Sequence, residues 1–154
     1  MEIEKKFTIK ELPGELSSYK CHLIEQGYLN RKPVLRVRRK DDEFILTYKM
    51  KQKSHENGPI VNIEEEFPLN EEAYLHLLAK ADGRVIRKKR YLIPLEGGLT
   101  AELDVFEGYL SGLIFAEVEF PDVRTADEFV PPAWFDKDVT GDKRYSNAYL
   151  SQEI

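Results

Sequence analysis

Charged side chains recur at every second position in this chain, in like-signed pairs, and that pattern limits what it can fold into. The acidic pairs are Glu2/Glu4, Glu64/Glu66, Glu102/Asp104 and Glu117/Glu119; the basic pairs are Arg36/Arg38, Lys49/Lys51 and Lys88/Arg90, with Lys6 continuing the first run. An extended strand sends successive side chains to opposite faces, so each pair shares one face. Apolar residues stand between or beside most of them, with Lys5 as an exception: Ile3, Phe7 and Ile9; Leu35 and Val37; Val61 and Ile63; Leu103 and Val105; Val118 and Phe120. Turn chemistry punctuates the runs at Pro13-Gly14, Asp41-Asp42, Asn57-Gly58 and Gly97-Gly98. The expected product is an α+β fold of about eight strands, joined mostly as hairpins, over 1–9, 24–29, 34–40, 44–51, 60–67, 85–94, 99–106 and 114–120.

Helices are expected in four places. Leu16, Tyr19 and Leu23 suggest a short helix over 15–23. Asn70, followed by Glu71 and Glu72, reads as an N-cap with a first turn suited to the dipole, opening a helix that ends near Asp82-Gly83. Thr125 and Glu128 have the spacing of a capping box, and 143–151 form a last short helix after a loop over 136–141.

At 154 residues, with 42% hydrophobic and 33% charged side chains, the chain reads as one domain over 1–154 with a core of its own. Its net charge of −5 argues against nonspecific nucleic-acid binding. Cys21 stands alone, which rules out an internal disulfide and a cysteine metal cage. No apolar run approaches membrane-spanning length and the first strand leaves no room for a signal peptide, so the expected compartment is the cytoplasm.

Carboxylates at i and i+2 stand about 7 Å apart on a strand, from a rise of roughly 3.3 Å per residue. Two such pairs on neighbouring strands could surround one hard cation with oxygens. Basic pairs at the same spacing would grip successive phosphates. A sheet with one solvated face also alternates this way, although it would mix in more Thr, Ser and Gln. The other arrangement is a closed barrel with charges lining a wet bore and apolar residues facing outward. The helices favour it, because their apolar stripes need a sheet face to cover, and that face is the one opposite the charges.

Taken together, the residues resemble the CYTH, or triphosphate tunnel metalloenzyme, superfamily along essentially the whole chain. Glu2, Glu4 and Lys6 stand as its E-x-E-x-K signature. Gln26-Gly27-Tyr28-Leu29, Arg36/Arg38, Lys49, Glu64/Glu66, Lys88/Arg90-Tyr91, Glu102/Asp104, Glu117/Glu119 and the tail from Asp138 to Asn147 match in order. The resemblance implies an eight-stranded antiparallel tunnel with a charged interior and covering helices, binding a triphosphate and Mg²⁺ or Mn²⁺. It is most similar to short bacterial inorganic triphosphatases, which implies hydrolysis of tripolyphosphate to diphosphate and phosphate. Glu2, Glu4 and Glu119 would then hold the metal, with Glu64, Glu66, Asp104 and Glu117 as further ligands or supporting groups. Arg36, Arg38, Lys49, Lys51, Lys88 and Arg90 would clamp phosphate oxygens, and Lys6 with Tyr28 would form a catalytic dyad in which a neutral Lys6 activates water. The tail helix would plug one tunnel mouth. One departure is Asn62, where many relatives carry Arg.

Two other readings stay open at this level: a class IV-type adenylate cyclase acting on ATP, and a noncatalytic barrel that binds polyphosphate or nucleotide. His22, His55 and His76 lack ligand spacing, and Trp134 reads as a packing anchor.

Overall fold

The computed structural model describes residues 1–52 and 58–152. The alternating segments become β1 (Glu2–Ile9), β2 (Lys20–Arg31), β3 (Val34–Lys40), β4 (Glu43–Lys51), β5 (Ile60–Leu69), β6 (Ile86–Pro94), β7 (Thr100–Phe106) and β8 (Ile114–Glu119). They pair antiparallel in the order β5-β4-β3-β2-β6-β7-β8-β1, and β1 returns to β5 through Glu2↔Asn62 and Glu4↔Ile60. The sheet therefore closes into the expected eight-stranded barrel. A further strand, β9 (Phe135–Asp138), lies along the far end of β1, where Phe7 faces Asp138 and Ile9 faces Phe135.

Register decides which face points inward. Glu4 stands opposite Glu119, Lys6 opposite Glu117, Arg90 opposite Asp104, Arg36 opposite Thr47, and Lys49 opposite Glu64. Cross-strand partners share a face, so the charges share one. The opposite face carries Ile3, Phe7, Leu103, Ala116 and Val118, packed under Ala126, Phe129, Trp134 and Phe135. With the apolar side covered, the charges line the bore.

The cover differs from the expectation in its parts. Helix α1 (Glu71–Leu78) lies against β2, β3 and β4, capped by the Asn70 side chain accepting from the Ala73 N–H at 2.7 Å. Its close approach requires Gly27: a Cβ there would stand 2.9 Å from both Ala81 Cβ and Leu78 Cδ1. On the other side a short α2 (Val123–Asp127), the segment after it and β9 form a strap. The cap of α2 is Asp122, which accepts from both the N–H and the hydroxyl of Thr125, so Thr125 is capped and is not the cap.

Three further expectations are corrected. Residues 15–23 are not a helix but a 3-10 turn (Leu16–Ser18) leading into β2. Leu23 is 57% exposed, so the helical stripe has nothing to bury, whereas extension gives Lys20 through Gln26 a continuous ladder with β6. The 136–141 loop begins as β9, and the 143–151 helix is a 3-10 turn (Lys143–Tyr145) followed by α3 (Asn147–Leu150). The Asn57 turn falls outside the described residues.

Candidate active site

One end of the bore is apolar. Tyr28, Ile86, Phe106 and Phe115 project inward there, and Tyr145, Ala148 and Leu150 from the tail pack against them. The tail is pinned on its outer side as well. Arg31 donates from Nε to the Ala148 carbonyl at 3.0 Å and from Nη2 to Ser151 Oγ at 2.9 Å, while the Arg84 N–H donates to the Ser151 carbonyl. Gly83, at φ +87°, makes room for that carbonyl. The tail stoppers this end, and the other end opens into a cavity of about 320 Å³ lined by Met1, Glu2, Glu64, Glu66 and Glu119.

Just inside that mouth, three carboxylates turn toward one ammonium. Lys49 Nζ stands 2.5 Å from Glu2 Oε1, 3.6 Å from Glu64 Oε2 and 3.8 Å from Glu4 Oε1. Asn62 is buried behind them and donates to Glu2 Oε1 at 3.3 Å. Burial and the charge of Glu117 push the Glu4 carboxyl up to about 8, against the pull of Lys49. Burial and the neighbouring Glu2 carboxylate push Glu64 up to about 7. Burial opposes the charge on Lys49 too, but Glu4 and Glu2 more than offset it and hold the ammonium protonated. Glu119, at the mouth, is raised by burial and by Glu2.

Deeper in the bore the sign reverses. Asp104, fully buried, accepts from Arg90 Nε at 2.8 Å, from Arg90 Nη2 at 3.0 Å and from Lys88 Nζ at 2.7 Å. Although burial opposes its charge, Arg90 and Lys88 keep this carboxyl below the usual range. Arg90 also reaches Glu102 at 3.2 Å. Burial lowers Lys88 to about 7, with Asp104 resisting and Arg90 adding to the fall. On the facing wall Arg36 donates from Nη2 to Thr47 Oγ1 at 3.4 Å, and its buried Nε has no hydrogen-bond partner among the described residues. Arg38 donates from Nε to Gln26 Oε1 at 2.7 Å, and its terminal nitrogens make no hydrogen bond among the described residues. Burial, with Arg36 and Arg90 close by, lowers Arg38 to about 9, which leaves it charged at neutral pH.

Lys6 lies where the polar bore meets the apolar floor. Its Nζ donates to the Tyr145 carbonyl at 2.8 Å, stands 3.4 Å from Glu117 Oε1 and sits 4.6 Å above the Phe115 ring. Burial notwithstanding, Lys6 leads Arg90, Lys88 and Lys49 in holding Glu117 well below the ordinary carboxylate range.

Sequence pattern and structure can now be compared residue by residue. Glu2, Glu4 and Glu64 converge; Glu66 and Glu119 line the same mouth; Asp104 is held away from them by Lys88 and Arg90, and Glu117 faces Lys6. Lys49 sits among the carboxylates and not with the other basic side chains of the bore. Lys51 is exposed and makes no ion pair among the described residues. Lys6 and Tyr28 are both on the inner face, but Lys6 is bonded to Tyr145 and no Lys6–Tyr28 hydrogen bond forms. Gln26, Thr47 and Asn147 were missed as bore residues; the first two share the parity of Tyr28 and Lys49, which was the available signal. His22, expected on a helix, stands on β2 opposite Arg90 and bonds Asp41 at 2.6 Å. A surface groove of about 430 Å³, lined by Leu23, Glu25, Arg39 and Arg87, presents the other face of the wall, and its Glu25 and Arg87 pair with each other.

No group of three His, Cys, Asp or Glu side chains stands at metal-ligand spacing among the described residues, because the convergent carboxylates close on Lys49. The donor set nevertheless fits a hard divalent cation. All its atoms are carboxylate oxygens, Glu64 Oε2 accepts no hydrogen bond, and Glu4 and Glu64 are under-compensated enough to hold protons near neutrality.

A closed antiparallel barrel whose bore is acidic at its mouth, basic within and stoppered by its own tail defines a tunnel protein built around a small polyanion. Comparison narrows that class. The chain is 37% identical to the inorganic triphosphatase of Nitrosomonas europaea, covering 99% of this chain and 98% of that protein. It is also 37% identical to the inorganic triphosphatase of Acetivibrio thermocellus, over 97% and 92% of the two chains. A crystal structure of an inorganic triphosphatase superposes with a TM-score of 0.71 at 36% identity, over 100% of this chain and 96% of the other. A Hippeastrum protein with a dominant triphosphatase activity, 20% identical with a TM-score of 0.58 over 82% and 83% of the chains, shares the fold. No family model matches the sequence. The chain belongs to the inorganic triphosphatase family.

Proposed function

We propose that this chain hydrolyses inorganic tripolyphosphate to diphosphate and phosphate, with Mg²⁺ or Mn²⁺ bound at the mouth of the bore. The observation that carries the reading is the pairing of two under-satisfied sets within one bore. Among the described residues, Arg36 and Arg38 present guanidinium nitrogens without acceptors, and Glu4 and Glu64, beside a better-compensated Glu2, present carboxylates without enough cation. A metal-bound triphosphate satisfies both. Curated relatives at 37% identity over nearly the whole chain, named inorganic triphosphatases, support the same reaction.

Glu2, Glu4 and Glu64 would hold the metal, with Glu66 and Glu119 beside them at the mouth, and Lys49, which now pairs with these carboxylates, would then be available to phosphate. The chemistry such an ion would supply is neutralisation of phosphate charge and a lowered pKa for water. Arg36 and Arg38, two residues apart on β3, bind oxygens of successive phosphates through charge-assisted hydrogen bonds. Lys88 and Arg90, locked by Asp104, form a fixed positive wall against the charge that builds as the bridging P–O bond breaks. Water supplies the new P–O bond, and diphosphate departs with the electrons of the old one. Lys6 would take the water's proton once the ammonium that pairs with Glu117 has given up one of its own, with the Tyr145 carbonyl accepting one of its N–H groups and orienting the amine. Tyr28 shapes the floor beside it. Among the described residues no helix is long and apolar enough to cross a membrane.

The test is a phosphate-release assay on tripolyphosphate and ATP, each with Mg²⁺, Mn²⁺ or chelator, with cyclic AMP measured alongside. Phosphate from tripolyphosphate that disappears with chelator is expected. Cyclic AMP from ATP without phosphate release identifies a cyclase, and metal-dependent binding without turnover identifies a noncatalytic barrel. Lys6→Ala is expected to bind tripolyphosphate and fail to turn it over; an active variant would remove Lys6 from the mechanism.

A further inference from the structure

Beside Asp104, a residue of the tail also holds the basic side chains of the bore. Asn147, the first residue of α3, is buried at the stoppered end. Its Oδ1 accepts from Lys88 Nζ at 2.9 Å and from Gln26 Nε2 at 3.1 Å. Both partners are donors, so the orientation of the Asn147 amide follows from the contacts themselves. Gln26, fully buried, is fixed in turn: with its NH₂ committed to Asn147, its Oε1 accepts from Arg38 Nε at 2.7 Å. Bonding a guanidinium at Nε fixes the plane of the group and leaves its terminal nitrogens to face the bore. A second branch runs from Lys88 to Asp104 at 2.7 Å and on to Arg90 at 2.8 Å.

One amide from the tail thus joins cations on the two strands that flank β2. We propose that Asn147 is a positioning residue for the triphosphate grip, acting through Gln26 on Arg38 and directly on Lys88, so that docking of the tail assembles the phosphate site. This inference rests on the triphosphate reading. Without Asn147, the Gln26 amide can rotate to present its NH₂ toward Arg38, like donor against like. Lys88 loses one of its hydrogen-bond acceptors in a site that has already stripped it of water.

The experiment is equilibrium binding of tripolyphosphate by calorimetry, with kcat and KM, for the full chain and for Asn147→Ala, Gln26→Leu and the double variant. Failure of the unsubstituted protein to bind tripolyphosphate refutes the substrate reading and this inference with it. If that protein binds, Asn147→Ala is expected to weaken binding roughly tenfold, the loss that accompanies removal of a hydrogen bond to a charged group. KM should rise more than kcat falls, and the double variant should lose much less than the product of the single losses. A merely structural tail residue gives another signature. Partial unfolding lowers apparent kcat in step with the folded fraction and leaves KM and affinity unchanged, and that outcome overturns the proposal. Should Asn147→Ala fail to fold, Gln26→Leu still cuts the path to Arg38 with the tail intact; unchanged affinity there also overturns it.

Discussion

At the scale of residues, the bore separates groups that are satisfied from groups that are waiting. Asp104 and Arg90 complete one another, while Glu4 and Glu64 share a single ammonium with Glu2. Their carboxyls sit at about 8 and about 7, above the usual 4.5, so a sizeable fraction is protonated at pH 7. The sign follows: a divalent cation must displace those protons. Titrating Mg²⁺ into the metal-free protein at pH 7 should release on the order of one proton, read as a heat that varies with the buffer's ionisation enthalpy. The release should fade as pH rises through about 8, where Glu4 is already ionised. By linkage, the same raised pKa values cost the metal-free fold stability as pH climbs from 4.5 toward 8, and bound metal should cancel that loss. A buffer-independent heat at pH 7 would exclude these carboxylates from the binding set.

The charged members of the site were legible in the sequence because period-two alternation is a local signal, readable from neighbouring positions alone. Asn147 was not legible in this role: its partners Gln26 and Lys88 are remote in the chain, and no short window contains both ends of such a bond. The ion pair of Lys49 with Glu2 was likewise not legible, since it depends on how β4 and β5 stagger against β1.

Among the elements, the strands were anticipated better than their cover. Most barrel strands announce themselves by alternation or by a turn at their ends, whereas the helix expected over 15–23 rested on three apolar residues, and ladder pairing with β6 outweighed it. The strap of α2 and β9 has weak periodicity of its own and takes its form from the barrel it covers. Element packing makes its own predictions. Gly27→Ala forces a methyl into the contact between β2 and the end of α1 and should cost about 1–3 kcal/mol, seen as a lower Tm with the fold retained. Asn70→Ala removes the side-chain acceptor at the start of α1 and should cost about 1 kcal/mol. A neutral result for Gly27→Ala would mean that α1 can ride outward freely.

For the molecule as a whole, the tail is part of the barrel's closure. Ending the chain after Asp142 removes Tyr145, Asn147, Ala148 and Leu150 and exposes Phe106, Phe115 and Tyr28 to water. A shortened chain should melt lower, bind a hydrophobic dye and lose tripolyphosphate affinity; unchanged melting and binding would show that the tail merely rests on the barrel.

A barrel stoppered at one end is a cul-de-sac. On the triphosphate reading, whatever enters by the acidic mouth leaves by it, and the fragment lying deeper is expected to depart after the other. The order of departure is therefore built into the architecture. Steady-state inhibition should reveal it: the product released last competes with tripolyphosphate for the empty bore, and the one released first gives mixed inhibition. Two purely competitive products would mean that the far end opens.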